Sequence, residues 1–517
     1  MVIMMSKKIQ DALSCEFVID IFIALMVSVY PLIFHDSYYD ILPIKYQFYY
    51  ISMIGMVILL VIMALFSRNV RSEIICKKGK FSLTDKAVLL FWICCVISTF
   101  QSDYFYESFW GNEGRYNGLF LMTLYTVMYF ILSRFGRLKD WHIQLFFASG
   151  LVMCLIGITD YFQMDILHFR TPETMELGKT FASTIGNINT YTSYLALLMG
   201  LSVTLFALET RTLKMIWYYI CIIITFMSIT MAGSDNAYLA LGVLFIMLPF
   251  WLFKSRRGIL RYLITLSSYF TVILAISYIN FQYQDMVLGL DSLFSIISKL
   301  PFLPHVVIAL WGVTGVFWFF RARSGTGLFE TSDKLARVWL ICVCFLALLV
   351  GFMLADVNFF GNVKRYGVLG RYLLFNDEWG TYRGFIWRKA LEVYQDFPAM
   401  HKLFGYGPDT FALLTTQGLG KEMRRTAGSY YDSVHNEYLH YLVTLGPIAT
   451  LAYITFLFSS LKQMVRKSGS AIVSGILVAV TCYAIQATVN ISVPMVAPAM
   501  WMFLSLGISE VRHKCEE

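Results

Sequence analysis

Apolar runs of roughly 20 residues, each long enough to cross a hydrocarbon core of about 30 Å, recur along this chain and leave few architectures open to it. Fourteen can be read, at about 17–34, 47–66, 87–101, 117–133, 141–159, 188–208, 215–232, 236–253, 262–281, 303–320, 338–355, 434–459, 471–488 and 494–510. With 58% of its residues hydrophobic and 14% charged, the chain lacks the polar side chains a soluble domain needs for its surface. The reading is an all-α protein, a polytopic transmembrane helical bundle of about 12–14 spans. Residues 1–517 form one membrane domain, with a long extracytoplasmic loop over 356–433.

Orientation follows from charge. With Lys7 and Lys8 inside, alternate connections carry Arg68 to Lys86, Arg134 to Lys139, Arg211 and Lys214, Lys254 to Arg261, Arg321 to Arg337, and Lys462 to Lys467, and Arg512 and Lys514 close the chain. That places 26 of the 41 Lys and Arg on one side. Positive charge collects on the cytoplasmic side, so both termini are expected there. The first apolar run has no small-residue cleavage site after it and is expected to be an uncleaved signal anchor. Cysteines fall within spans or cytoplasmic segments, so structural disulfides are not expected. The net charge of +8 is that of cytoplasmic loops meeting anionic lipid and implies no nucleic-acid partner.

The 356–433 loop breaks the charge rule, since it holds ten Lys and Arg on the side where they are normally avoided. Such a loop calls for an anionic partner. Within it Thr381 to Phe397 has helical periodicity. Phe385, Ile386, Ala390, Leu391, Val393, Tyr394 and Phe397 make an apolar side, Thr381 is the expected N-cap and Pro398 the stop. Gly405-Tyr406-Gly407-Pro408 reads as a structural turn, because no strand precedes it and no Lys-Ser/Thr pair follows. Tyr104, Phe105, Tyr106, Phe109 and Trp110 crowd an earlier exterior loop, as an interfacial aromatic belt or a sugar-stacking platform.

Two residues stand out chemically. Arg383 falls at the start of the expected loop helix, where the dipole favours negative charge, so an anion there would satisfy the guanidinium and the free N–H groups together. Arginine suits bidentate phosphate recognition. At about 4 Å and an effective dielectric near 20, one such pair gains roughly 4 kcal/mol before desolvation. A snorkelling surface arginine is the plainer alternative. His435 is expected in the first turn of the next span, where the dipole disfavours imidazolium and keeps the ring neutral, able to accept a proton from a sugar hydroxyl. Asn436 and Glu437 are placed to orient the ring or a substrate hydroxyl. An interfacial capping histidine is the alternative here. A zinc site built on His435, Glu437 and His440 is not expected, because histidines five apart on a helix point about 140° away from each other. No Asp, Glu, Lys or Arg falls near the middle of an expected span, which favours chemistry at the exterior face over transport.

The stretches Arg383-Gly384-Phe385-Ile386-Trp387-Arg388-Lys389-Ala390-Leu391, Phe404-Gly405-Tyr406-Gly407-Pro408-Asp409-Thr410-Phe411 and His435-Asn436-Glu437-Tyr438-Leu439 resemble the signature of the O-antigen ligase/polymerase superfamily. Gly114-Arg115-Tyr116-Asn117-Gly118-Leu119 and Gly186-Asn187-Ile188-Asn189-Thr190-Tyr191 are similar to two further elements of it, and the ligase-like signature is expected over about 180–455. The resemblance implies a multipass glycosyltransferase of the bacterial cytoplasmic membrane, working on its outer face. It would move a glycan from undecaprenyl diphosphate to a hydroxyl acceptor without nucleotide sugar, metal or other cofactor. Arg383 then matches the arginine that contacts the diphosphate and His435 the histidine tied to acceptor activation. Arg115, Arg371, Arg388, Asn187, Asn189, Asn436 and Glu437 are the expected substrate-binding residues. Where relatives carry Ser-Arg, this chain has Ser234-Asp235, so Arg115, Arg371 or Arg388 would supply the missing charge. Expected partners are the lipid-linked donor, a saccharide or other hydroxyl acceptor, membrane lipid and polysaccharide-assembly machinery. A lipid-linked oligosaccharide flippase and a non-catalytic assembly protein are the competing readings.

Overall fold

The structure, a computed structural model, describes residues 14–36, 40–68, 70–72, 81–169, 183–290, 292–323, 333–466 and 469–513. Lys7, Lys8, Lys467 and Lys514 of the topology argument lie outside them.

Each of the fourteen apolar runs is helical. In chain order the described helices are α1 (Cys15–Ser28), α2 (Ile41–Phe66), α3 (Leu83–Phe100), α4 (Phe105–Trp110), α5 (Leu119–Phe135), α6 (Asp140–Tyr161) and α7 (Ile188–Leu208). Then come α8 (Thr212–Met231), α9 (Ala237–Met247), α10 (Pro249–Leu252), α11 (Arg256–Gln282), α12 (Ser292–Ser298), α13 (Leu303–Arg323) and α14 (Asp333–Asn358). The long connection holds α15 (Gly370–Leu373), α16 (Trp379–Gln395), α17 (Ala399–Phe404) and α18 (Phe411–Ala427), and α19 (Glu437–Arg466), α20 (Ala471–Gln486) and α21 (Ala497–His513) return to the bundle. Among the described residues ten helices are long and apolar enough to cross a membrane. The runs at α1, α5, α9 and α21 give shorter helices, α9 because Pro249 interrupts its continuation. The protein is an integral membrane protein with a polytopic helical bundle.

Lipid tails are as apolar as leucine, so such a bundle coheres through close packing rather than through burial from water. α7 and α20 pack closely, so that a Cβ on Gly200 would stand 2.4 Å from Ala479 Cα. Beside it an aromatic stack forms around buried Trp501, whose ring lies 4.6 Å from Phe456 and 5.5 Å from Tyr125. Basic connections share one face of the bundle. There buried Asp85 accepts from Arg512 at 2.7 Å, with Arg134 at 3.6 Å, and Lys214 pairs with Asp140 at 2.6 Å. Lys139 pairs with Glu16 at 2.8 Å and also with Asp20. Asp20 is the fourth residue of the 17–34 run, near its end and not its middle.

The long connection folds over the opposite face with a small core of its own, in which Phe385, Ile386, Ala390 and Phe397 of the expected apolar side meet Phe411, Met423, Val434 and Val443. Leu391 departs from that pattern and is exposed. Lys389 reaches Glu422 of α18 at 2.9 Å, joining two of the loop helices. The glycine turn anchors the domain to the bundle. A Cβ on Gly405 would fall 2.1 Å from Thr444 O, and Gly407 N–H donates to that same carbonyl at 3.0 Å.

Candidate active site

Three segments with unusual backbone converge on the loop-bearing face. Non-glycine residues with positive φ include Tyr116, Thr381, Tyr382, Asp409 and His435. Each such residue costs about 1–3 kcal/mol unless its surroundings hold it in place, and strain of this kind gathers at functional sites.

The first segment opens α16. Gly380, Thr381 and Tyr382 all adopt left-handed dihedrals, so the right-handed helix starts at Arg383. Thr381 lies inside that left-handed turn, which takes it out of the expected N-cap role. Arg383 therefore sits closer to the free N–H groups than a regular helix over 381–397 would bring it. Its guanidinium donates to Gly380 O at 2.6 Å, while buried Nε has no partner. Burial lowers its pKa below the ordinary guanidinium value, and Tyr431 and Asp235 nearby oppose that.

The second segment is 431–436. His435, with φ of 52°, lies in the turn before α19 and not in its first turn. Helical spacing thus does not govern the His435–His440 pair. Trp387 Nε1 donates to Val434 O at 3.0 Å and Tyr431 OH to Thr381 O at 3.2 Å, stitching this turn to the start of α16. His435 Nδ1 is buried without a partner. Burial, then the charges of Arg383 and Arg115, lower the His435 pKa to about 3, so the ring is neutral. Asn436 Oδ1 accepts from Leu439 N–H at 3.0 Å and caps α19. Glu437 turns into the bundle, where Tyr453 OH donates to it at 2.6 Å.

The third segment is 112–117. Asn112 N–H and Asn117 N–H both donate to Asp409 Oδ2, at 2.8 and 3.1 Å. Burial raises the Asp409 carboxyl to about 7 against those two bonds. An acid with a raised folded pKa contributes stability that is complete below about 4 and is lost as pH rises through the folded value. Melting temperature should therefore fall between about pH 4 and 7 in the wild type, and Asp409→Asn should remove that part of the slope. Asp409→Ala strands two buried N–H groups and should cost roughly 2–4 kcal/mol at any pH, read by thermal unfolding in detergent.

The four expected arginines divide. Arg115 is held by Asp432 through two bonds of 2.9 and 2.5 Å. Arg388 is held by Asp377 at 2.7 Å and Glu392 at 2.6 Å. Arg371 and Arg383 have no carboxylate partner among the described residues, and both line a cavity of about 670 Å³. Asp235, Asn236, Tyr238, Glu378, Trp379 and Trp387 complete much of its wall. Asn189 lies one layer behind, where its Oδ1 accepts from Ser234 at 2.7 Å and from Asn236 at 3.3 Å. Asn187 caps α7 through the N–H groups of Asn189 and Thr190.

Residues 286–454 match the family model described as O-antigen ligase. That stretch is similar to the O-antigen ligase family. It contains Arg371, Arg383 and His435, whereas Arg115 in the turn before α5, Asn187 at the N-cap of α7 and Asn189 in its first turn lie upstream of the match. No curated protein matches the chain.

Sequence reasoning assigned no role to Asp432, Asp409, Trp379, Trp387 or Glu378. Asp432 stands three residues before His435, and Trp379 and Trp387 flank Arg383 at four residues on either side, so proximity along the chain was the available signal.

Proposed function

We propose that the protein transfers a glycan from a polyprenyl-diphosphate carrier such as undecaprenyl diphosphate to a hydroxyl acceptor, at the extracytoplasmic face of a bacterial cytoplasmic membrane. The observation that carries this reading is Arg383, whose guanidinium lines the cavity without a carboxylate while its field falls on a buried, neutral His435. The diphosphate docks on Arg383 and Arg371, and the sugar lies against the tryptophan wall. An acceptor hydroxyl approaches from the His435 side and gives its proton to the imidazole as its oxygen attacks the anomeric carbon. The glycosidic bond to the carrier breaks, and the two arginines stabilise the charge that develops on the departing lipid diphosphate. Direct displacement inverts the anomeric centre. Arg115, neutralised by Asp432, holds the 431–436 turn rather than the donor, and Asn187, Asn189 and Asn436 act through the backbone they fix. No step requires a metal ion.

Reconstitution of the purified protein with a lipid-linked repeat tests the proposal. Lipid diphosphate should be released together with a larger glycan, at a rate unchanged by chelator. Release abolished by chelator and restored by a divalent cation, or no release with any hydroxyl acceptor, would refute it. A ladder of repeats built from one donor marks a polymerase. Transfer of a finished chain to a different acceptor marks a ligase.

A further inference from the structure

A lipid diphosphate on Arg371 and Arg383 leaves a problem of space. A cavity of about 670 Å³ that takes a diphosphate and a sugar cannot also enclose a long polyprenyl chain. The tail must leave sideways into hydrocarbon, and one side of the cavity is built for that.

α14 is fastened at its two ends and bare between them. At one end Trp339 Nε1 donates to Ile246 O at 2.9 Å, and the indole packs on Phe253 and Tyr262. At the other, Asn358 binds the backbone of Leu373 at 2.8 Å and of Phe375 at 2.7 Å, beside the cavity residues Arg371, Tyr372 and Leu374. From Leu340 to Leu354 no side chain is buried on any face of the helix. That is about 22 Å of apolar helix standing off the bundle.

α9 forms the facing wall. Ala237, Ala240, Leu241 and Leu244 are buried, with Ala240 O accepting from Cys482 of α20. Tyr238, Gly242 and Ile246 share another face at a spacing of one helical turn. Tyr238 lines the cavity, Gly242 is half-buried with nothing within 4 Å of where a Cβ would be, and Ile246 is the anchor for Trp339. The two helices thus bound a window that runs from the arginine-bearing cavity down into the apolar layer.

We infer that the window between α9 and α14 holds the polyprenyl tail of the donor. The inference rests on the function proposed above, and it identifies which side of the bundle admits the lipid. Continuity with the cationic cavity is the reason for choosing this occupant over ordinary phospholipid, since head and tail of one amphiphile match the two ends of one path.

The test is Gly242→Trp, which fills the window without touching the cavity residues that hold the head. With a long-chain donor, kcat/KM should fall at least about tenfold, while a short-prenyl donor is used as by the wild type. Equal behaviour of the two donors, whether both fall or neither does, overturns the inference. A second measurement needs no turnover: a polyprenyl diphosphate without glycan, carrying a photoreactive group in its tail, is irradiated with the wild-type protein in nanodiscs. Labelling should concentrate in 237–247 and 340–354 and be displaced by unlabelled polyprenyl diphosphate. Labelling spread over other lipid-facing helices such as α2, or resistant to displacement, overturns the inference. If no donor is turned over while the labelling is displaceable, the glycosyl-transfer reading fails and the lipid path stands.

Discussion

Arg383→Ala should lower turnover of the reconstituted protein roughly 10²–10³-fold, the loss typical of removing one preorganised group from a developing oxyanion. The figure is large because Arg371 is the one other expected arginine in the cavity, and it already holds the diphosphate beside Arg383. Arg388, five residues on along α16, is already held by Asp377 and Glu392, and Arg115 by Asp432. Arg388→Ala should therefore leave turnover within about twofold of wild type, because it removes a solvent-exposed ion pair of small net value. Arg383→Lys should recover little, since an ammonium reproduces the charge but not the forked donor geometry. Release of lipid diphosphate under saturating donor reads all three variants. The donor assignment fails if Arg383→Ala turns over normally, or if Arg388→Ala loses as much as Arg383→Ala does.

The bundle was legible because a span declares itself through length and hydropathy alone. All fourteen apolar runs became helices, and the basic connections that alternate along the sequence meet on one face at Asp85, Arg134 and Arg512. The apolar side of the loop helix was also readable, since Phe385, Ile386, Ala390 and Phe397 recur at helical spacing and are buried together. What periodicity could not convey is backbone hand. Nothing in Thr381 and Tyr382 announces a left-handed turn, and nothing in His435 announces a positive φ, because those conformations are imposed by contacts with distant segments such as Tyr431 OH on Thr381 O. Nor could spacing rank the arginines. Whether a guanidinium is free depends on carboxylates brought to it by the fold. Asp432 lies 317 residues from Arg115 in sequence. The same holds for the window, which exists only because α14 touches the bundle at its ends.

His435→Ala should lower kcat roughly 10²–10⁴-fold, the range for loss of a positioned acid–base group. The pH dependence separates a base from a merely structural ring. In the free protein, burial and the two neighbouring arginines lower this imidazole to about 3, so it stays neutral throughout the physiological range. The kcat/KM profile, which reports the free enzyme, should thus have no histidine limb near the ordinary value of about 6.5 and should stay level down to about pH 5. A bound diphosphate cancels the field of Arg383 and adds negative charge of its own, both of which favour imidazolium. The pKa in the donor complex must then rise, and the acid limb of kcat should lie at higher pH than that of kcat/KM. This sign matters for the chemistry. A ring with a pKa of about 3 is a feeble base, and donor binding strengthens it only once there is a glycan to transfer. A kcat/KM limb centred at about 6.5 or above, absent from His435→Ala, would mean a solvated imidazole and a different site geometry. Coincident limbs in the two profiles would mean that the diphosphate does not approach Arg383 at all.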